Sequence, residues 1–134
     1  LAYGRIEDAP RLHALMAVHE VSAAFDLTGT DRGTEALLRA AGLYHPRVPV
    51  VTVRPLDHLP LPAHDQTPQA FGIARFEVLF GPGRSETPLP AGRTRRDHVF
   101  VRDAARACLG VAEAVAIEGA PHDLTFRSGW EFTD

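Results

Sequence analysis

Two hydrophobic periods divide the chain. Between residues 8 and 25, Leu12, Leu15, Met16 and Ala23 recur at helical spacing, and Val18, Val21 and Phe25 widen the stripe. Asp8 stands as an N-cap with Pro10 in the first turn. His19 falls on the stripe between Leu15 and Ala23, which predicts a hydrogen-bonded core histidine. A second helix is expected from about Arg32 to Ala41, with Asp31 as its cap and Gly42 at the C′ position. Ala36, Leu37, Ala40 and Ala41 form its apolar side, and Leu43 and Tyr44 pack beyond it.

After Gly42 the period shortens. Val48 to Val53 is a β-branched run interrupted by Pro49, which predicts an edge strand or the start of one. Residues 54–70 hold four prolines, so neither a helix nor a sheet interior suits them, and an exposed arm or lid is expected. From Phe71 to Phe80, Ala74, Phe76, Val78 and Phe80 alternate against Arg75 and Glu77, the pattern of a half-buried strand. A Gly, Pro and Arg-rich loop over 81–97 leads to a strand at Val99 to Val101. Between Asp103 and Ile117 two readings fit, one long helix or a short helix and a strand. Gly110 and the run Val111–Ile117 favour the second. Gly119-Ala120-Pro121 turns into Leu124–Phe126, and Ser128-Gly129 turns into Trp130 and Phe132.

Helices first and strands afterwards predict an α+β class: two N-terminal helices packed on a mostly antiparallel sheet of four or five strands. The 134 residues make a single domain (1–134), long enough to close a core without disulfides or metal.

Charge narrows the partners. The net charge of −3 argues against wholesale coating by nucleic acid, although residues 84–106 carry six arginines against Glu86, Asp97 and Asp103. Every cation is an arginine and Lys is absent, which excludes Schiff-base and lysine-nucleophile chemistry and leaves planar forks suited to carboxylate or phosphate. Cys108, the lone cysteine, is expected to be a small buried apolar residue, and its solitude suits a reducing, cytoplasmic location. No apolar run approaches a membrane span, and no signal peptide stands at Leu1. Leu1 in place of an initiating Met fits a processed, trimmed or fragmentary chain.

Several motifs are tested and set aside. His19-Glu20 begins like a zinc-protease signature, but position 23 is Ala. Asp26-Leu27-Thr28-Gly29-Thr30 superficially matches the phosphorylated loop of P-type ATPases, whose chemistry needs a distant lysine; here it reads as a turn carrying the cap of the second helix. A zinc or iron site could combine Asp57, His58, His64, Asp65 and His45, but their spacing matches no standard signature, and no cofactor or metal is assigned.

The densest chemistry lies between Arg93 and Arg127. Transphosphorylation of a phosphodiester needs a general base, a general acid and cations on the phosphate, without metal. Asp97 is the candidate base and His122 the acid, with Arg102, Arg106 and Arg93 on the phosphate. Arg84, Leu89-Pro90, Gly92-Arg93-Thr94-Arg95-Arg96-Asp97, the Arg102/Arg106 pair and His122-Asp123-Leu124-Thr125-Phe126 together resemble the microbial guanyl-specific ribonucleases. That resemblance covers under a third of the chain. It implies RNA, or another anionic small molecule, as ligand, with Asp97 where the family has glutamate. Two other readings stand beside it. One is a non-enzymatic module that docks a protein partner or a second copy through the 54–70 arm and the arginine hairpin. The other is a His/Asp metal-dependent enzyme.

Overall fold

The computed structural model of the chain describes residues 3–56, 70–82, 96–119, 122–129 and 131–132. In chain order the elements are α1 (Ala9–His19), β1 (Ala24–Asp26), α2 (Asp31–Tyr44), β2 (Val50–Pro55), β3 (Phe71–Phe76), β4 (Val78–Phe80), β5 (Arg96–Phe100), α3 (Val101–Glu118), β6 (His122–Thr125) and β7 (Glu131–Phe132). The strands β1, β2, β3 and β6 lie side by side in that order, and every pairing among them is parallel. A second sheet has β5 at its centre, parallel to β4 and antiparallel to β7.

This corrects the expected fold class. The main sheet is parallel and has helices on both faces, an α/β architecture and not two helices laid on an antiparallel sheet. Strands sandwiched between helices need apolar residues on both faces and so lose the alternation of a half-exposed strand. β3 is buried at all six positions, Arg75 included. The alternation read from Phe71 to Phe80 crosses a break at Glu77, where the chain leaves the first sheet and β4 begins the second.

One core layer joins Met16, Leu37, Leu38, Ala40 and Ala41 of α1 and α2 to Val50, Phe71 and Ile73. The opposite layer joins Ala104, Cys108, Val111, Ala112 and Val115 of α3 to Val51, Ala74 and Phe76. Successive strand residues thus serve opposite layers, as a pleated strand requires. Gly72 sits where α3 comes closest: a Cβ there would collide with Val111 Cγ1. Cys108 is buried, as expected, and burial pushes its thiol pKa up.

Element boundaries differ from expectation for local reasons. α1 starts after Asp8, whose carboxylate accepts from Arg11 N–H at 3.2 Å, but it stops at His19 because Glu20 turns left-handed (φ 49°). Ala24–Asp26 instead form β1, a strand that overlaps the end of the predicted first helix. His19 is exposed, not a core residue. α2 is capped by Thr30, with Asp31 in its first turn, and runs through Gly42 to Tyr44. β2 is an interior strand and not an edge. Pro49 immediately precedes it and uses only its carbonyl, which accepts from Ala24 N–H at 3.0 Å. α3 is one continuous helix of 18 residues, so the expected helix-plus-strand over 103–117 is also corrected. Gly110 is exposed with open space around it; its cost of about 1 kcal/mol relative to Ala is absorbed by the buried stripe on the other side of the helix. Gly119 ends α3 in the left-handed C′ conformation (φ 64°).

Most of the expected 54–70 arm and of the 81–97 loop lies outside the described residues; Arg54 and Pro55 belong to β2, and Arg96 and Asp97 to β5. Among the described residues no helix is long and apolar enough to cross a membrane.

Candidate functional site

Of the four buried charges among the described residues, three, Asp26, Arg54 and Arg75, collect at the carboxyl ends of the main sheet's parallel strands. β1 ends at Asp26, and Arg54 and Arg75 are the penultimate residues of β2 and β3; all three are buried. In open parallel sheets this edge is where ligands bind, because strands end there in short turns that leave a crevice.

Asp26 organises the first part. Its Oδ1 accepts from Thr28 N–H at 2.9 Å and from Thr28 Oγ1 at 2.6 Å. Its Oδ2 accepts from Thr34 Oγ1 and, at 3.2 Å, from Thr52 Oγ1. Burial works against the carboxylate, but these donors outweigh it and hold the Asp26 pKa below the ordinary carboxylate value. The turn after β1 therefore carries the cap of α2, as expected, with an acid as its anchor.

Arg54 lies beside this anchor. Its Nη1 donates to the Gly29 carbonyl at 2.8 Å, and its Nη2 donates to Thr34 Oγ1 at 2.6 Å and to the Thr30 carbonyl at 3.2 Å. The Asp31 carboxylate stands 3.3 Å from Nη2. Arg75, its register partner on β3, forks onto Asp123 with Nε–Oδ1 at 2.7 Å and Nη2–Oδ2 at 3.0 Å, and gives Nη1 to the Pro55 carbonyl.

The second sheet begins directly after β3 in the chain and packs against α3. β4 follows β3 after one residue, and its ladder with β5 begins at the pair Val78 and His98, two residues after Arg96. The alternation of β5 buries Asp97 and Val99 and leaves Arg96, His98 and Phe100 half-buried on the other face. Phe80 joins that face with ring centroids 5.4 Å from Phe100 and 6.4 Å from His98. Arg96 Nε is buried and makes no hydrogen bond among the described residues. One cation and three rings thus share one face of the β4–β5 ladder.

The residues singled out from sequence are distributed differently. Asp97 is 2% exposed and holds the turn at 128–129: its carboxylate accepts from Ser128 N–H at 3.0 Å, Gly129 N–H at 2.9 Å and Ser128 Oγ at 3.2 Å. His122 belongs to the other sheet, on β6, where Nε2 lies 2.6 Å from Glu118 Oε2 but forms no hydrogen bond with it. Arg102 and Arg106 are exposed in the first turns of α3, and Arg106 stands 3.8 Å from Asp103. Arg93 lies outside the described residues, as do Asp57, His58, His64 and Asp65; His45 is exposed beyond α2. Among the described residues no three His, Cys, Asp or Glu groups could hold a metal.

Asp26 was read from sequence only as the start of the turn that carries the cap of α2, and Arg54 and Arg75 were not singled out. Their signal is a charge at the end of an otherwise apolar run, Val50-Val51-Thr52-Val53-Arg54 and Phe71-Gly72-Ile73-Ala74-Arg75.

The parallel sheet with helices on both faces defines a Rossmann-like α/β fold. Solved structures share it at low identity. A UDP-glucose 4-epimerase from Brucella ovis in complex with NAD superimposes with a TM-score of 0.76 at 15% identity, over 98% of this chain and 65% of that one. A UDP-glucose 4-epimerase from Stenotrophomonas maltophila, with bound NAD and formylated UDP-arabinopyranose, gives 0.66 at 16% identity, over 98% and 63%. A dTDP-glucose 4,6-dehydratase from Bacillus anthracis in complex with NAD gives 0.71 at 15% identity, over 98% and 59%. The chain therefore spans about three-fifths to two-thirds of the length of these neighbours. No protein-family model and no curated protein matches the sequence. The likeness overturns the ribonuclease-like reading, since the chain has the fold of nucleotide-sugar epimerases and dehydratases and not helices on an antiparallel sheet.

Proposed function

We propose that this chain binds a nucleotide-diphosphate sugar at the face of the β4–β5 ladder that carries Arg96, Phe80, His98 and Phe100, with Arg96 as the cation for the diphosphate. The observation that carries the reading is Arg96 itself, whose buried Nε has no hydrogen-bond partner among the described residues and which lies two residues before the first β4–β5 register pair. A guanidinium is a planar fork that matches two phosphate oxygens at once. The Phe80, His98 and Phe100 rings on the same face suit a base or a sugar ring. One solved neighbour holds formylated UDP-arabinopyranose, and the enzyme names of the others carry UDP-glucose and dTDP-glucose, all of the same chemical class. An anionic small molecule is also the partner that the arginine-only basic composition favours.

Calorimetric titration with UDP-glucose tests the reading. The wild-type chain is expected to show saturable binding, and Arg96→Ala to weaken it by about 10–100-fold, the loss of a charge-assisted hydrogen-bond pair. Equal affinities in the two proteins, or no binding to either, would count against it.

A further inference from the structure

A ligand of a parallel sheet approaches from beyond the carboxyl ends of the strands. At the ends of β1 and β2 that space is already taken. Arg54 is 1% exposed, and the turn at residues 27–30 folds across it. The surface facing the guanidinium consists of acceptors: the Gly29 and Thr30 carbonyls, the Thr34 hydroxyl and the Asp31 carboxylate. Asp26 stands behind them as a second carboxylate and fixes the turn through Thr28. Gly33 leaves the turn room to close, since a Cβ there would lie 2.7 Å from Thr28 Oγ1 and 2.9 Å from Thr30 Oγ1.

This lining has the wrong polarity for a pyrophosphate. Phosphate sites at strand ends present N–H groups and positive dipoles. Here oxygens converge on a cation, so the NAD held by the solved neighbours does not fit these residues. We propose that Arg54 is a built-in ligand of this end of the sheet: its guanidinium occupies a cation site formed by residues 26–34 and closes the β1–β2 half of the carboxyl edge to a dinucleotide. The inference is independent of nucleotide-sugar binding at Arg96, which concerns the other sheet.

Removing the side chain and supplying its head group tests this. Arg54→Ala should unfold at a lower temperature than wild type, and methylguanidinium should raise the midpoint of Arg54→Ala progressively with concentration while leaving wild type unmoved. If the variant is unfolded on its own, methylguanidinium should restore its far-ultraviolet circular dichroism, and failure to restore any structure would contradict the proposal. An Arg54→Ala midpoint equal to that of wild type, or the same response in both proteins, would overturn it. NAD added to the wild-type chain should move no backbone amide in residues 27–31; movement there would overturn the claim of closure.

Discussion

Arg54 and Arg75 are register partners on adjacent parallel strands, two buried guanidiniums side by side on the face covered by α1 and α2. Like charges in neighbouring strands repel, so each needs its own acid. The acids arrive from opposite directions, Asp31 from the first turn of α2 and Asp123 from β6. The carboxyl edge of the sheet is therefore held by charge pairs as well as by backbone ladders.

Breaking one pair should expose this arrangement. Asp123→Asn leaves Arg75 buried without its bidentate carboxylate. Asp123 is partly exposed, so the cost is expected to be about 1–3 kcal/mol, below that of a wholly buried pair. The thermal midpoint should fall by roughly 3–12 °C. Replacing both residues, Arg75→Leu with Asp123→Leu, should destabilise less than the sum of the single changes, measured in a double-mutant cycle. Strict additivity would show that the pair does not couple.

Asp26 predicts a pH dependence with a definite sign. Its folded pKa lies below the ordinary value, so it contributes stability that is complete above the unfolded pKa of about 3.9 and is lost as pH falls through the folded value. Urea midpoints of the wild type should therefore drop below about pH 4. Asp26→Asn should be less stable at pH 7 and show a shallower fall in acid. Parallel curves for the two proteins would refute the assignment.

The approach of α3 to the sheet rests on a missing side chain. Gly72→Ala should destabilise by about 1–3 kcal/mol, because its methyl meets Val111 Cγ1 in a filled layer. Pairing it with Val111→Ala should recover part of that loss, read from chemical denaturation. A neutral Gly72→Ala would mean that α3 stands further from β3.

The sequence carried the helices better than the sheet. Asp8 and Pro10 announce α1, and the apolar spacing of α2 is visible from Ala36 to Ala41. Strand direction was not legible. Val50-Val51-Thr52-Val53 reads the same in a parallel or antiparallel ladder, and only double-sided burial separates the two. β1 escaped because Phe25 falls on the apolar stripe read for the preceding helix. The arginine-dense stretch from Arg93 to Arg106 drew attention to number of charges, whereas burial decides which charge is costly and therefore committed to a task. Arg102 and Arg106 proved exposed, while Arg96, from the same stretch, is partly buried with its Nε unbonded among the described residues.

The most direct test of the account follows backbone amide resonances of the whole chain during titration with UDP-glucose. Nucleotide-sugar binding at the β4–β5 ladder predicts saturable shifts at residues 78–80 and 96–100, with residues 27–31 unmoved around Arg54. Shifts centred on residues 27–31, or none at residues 96–100 at saturating ligand, would contradict it.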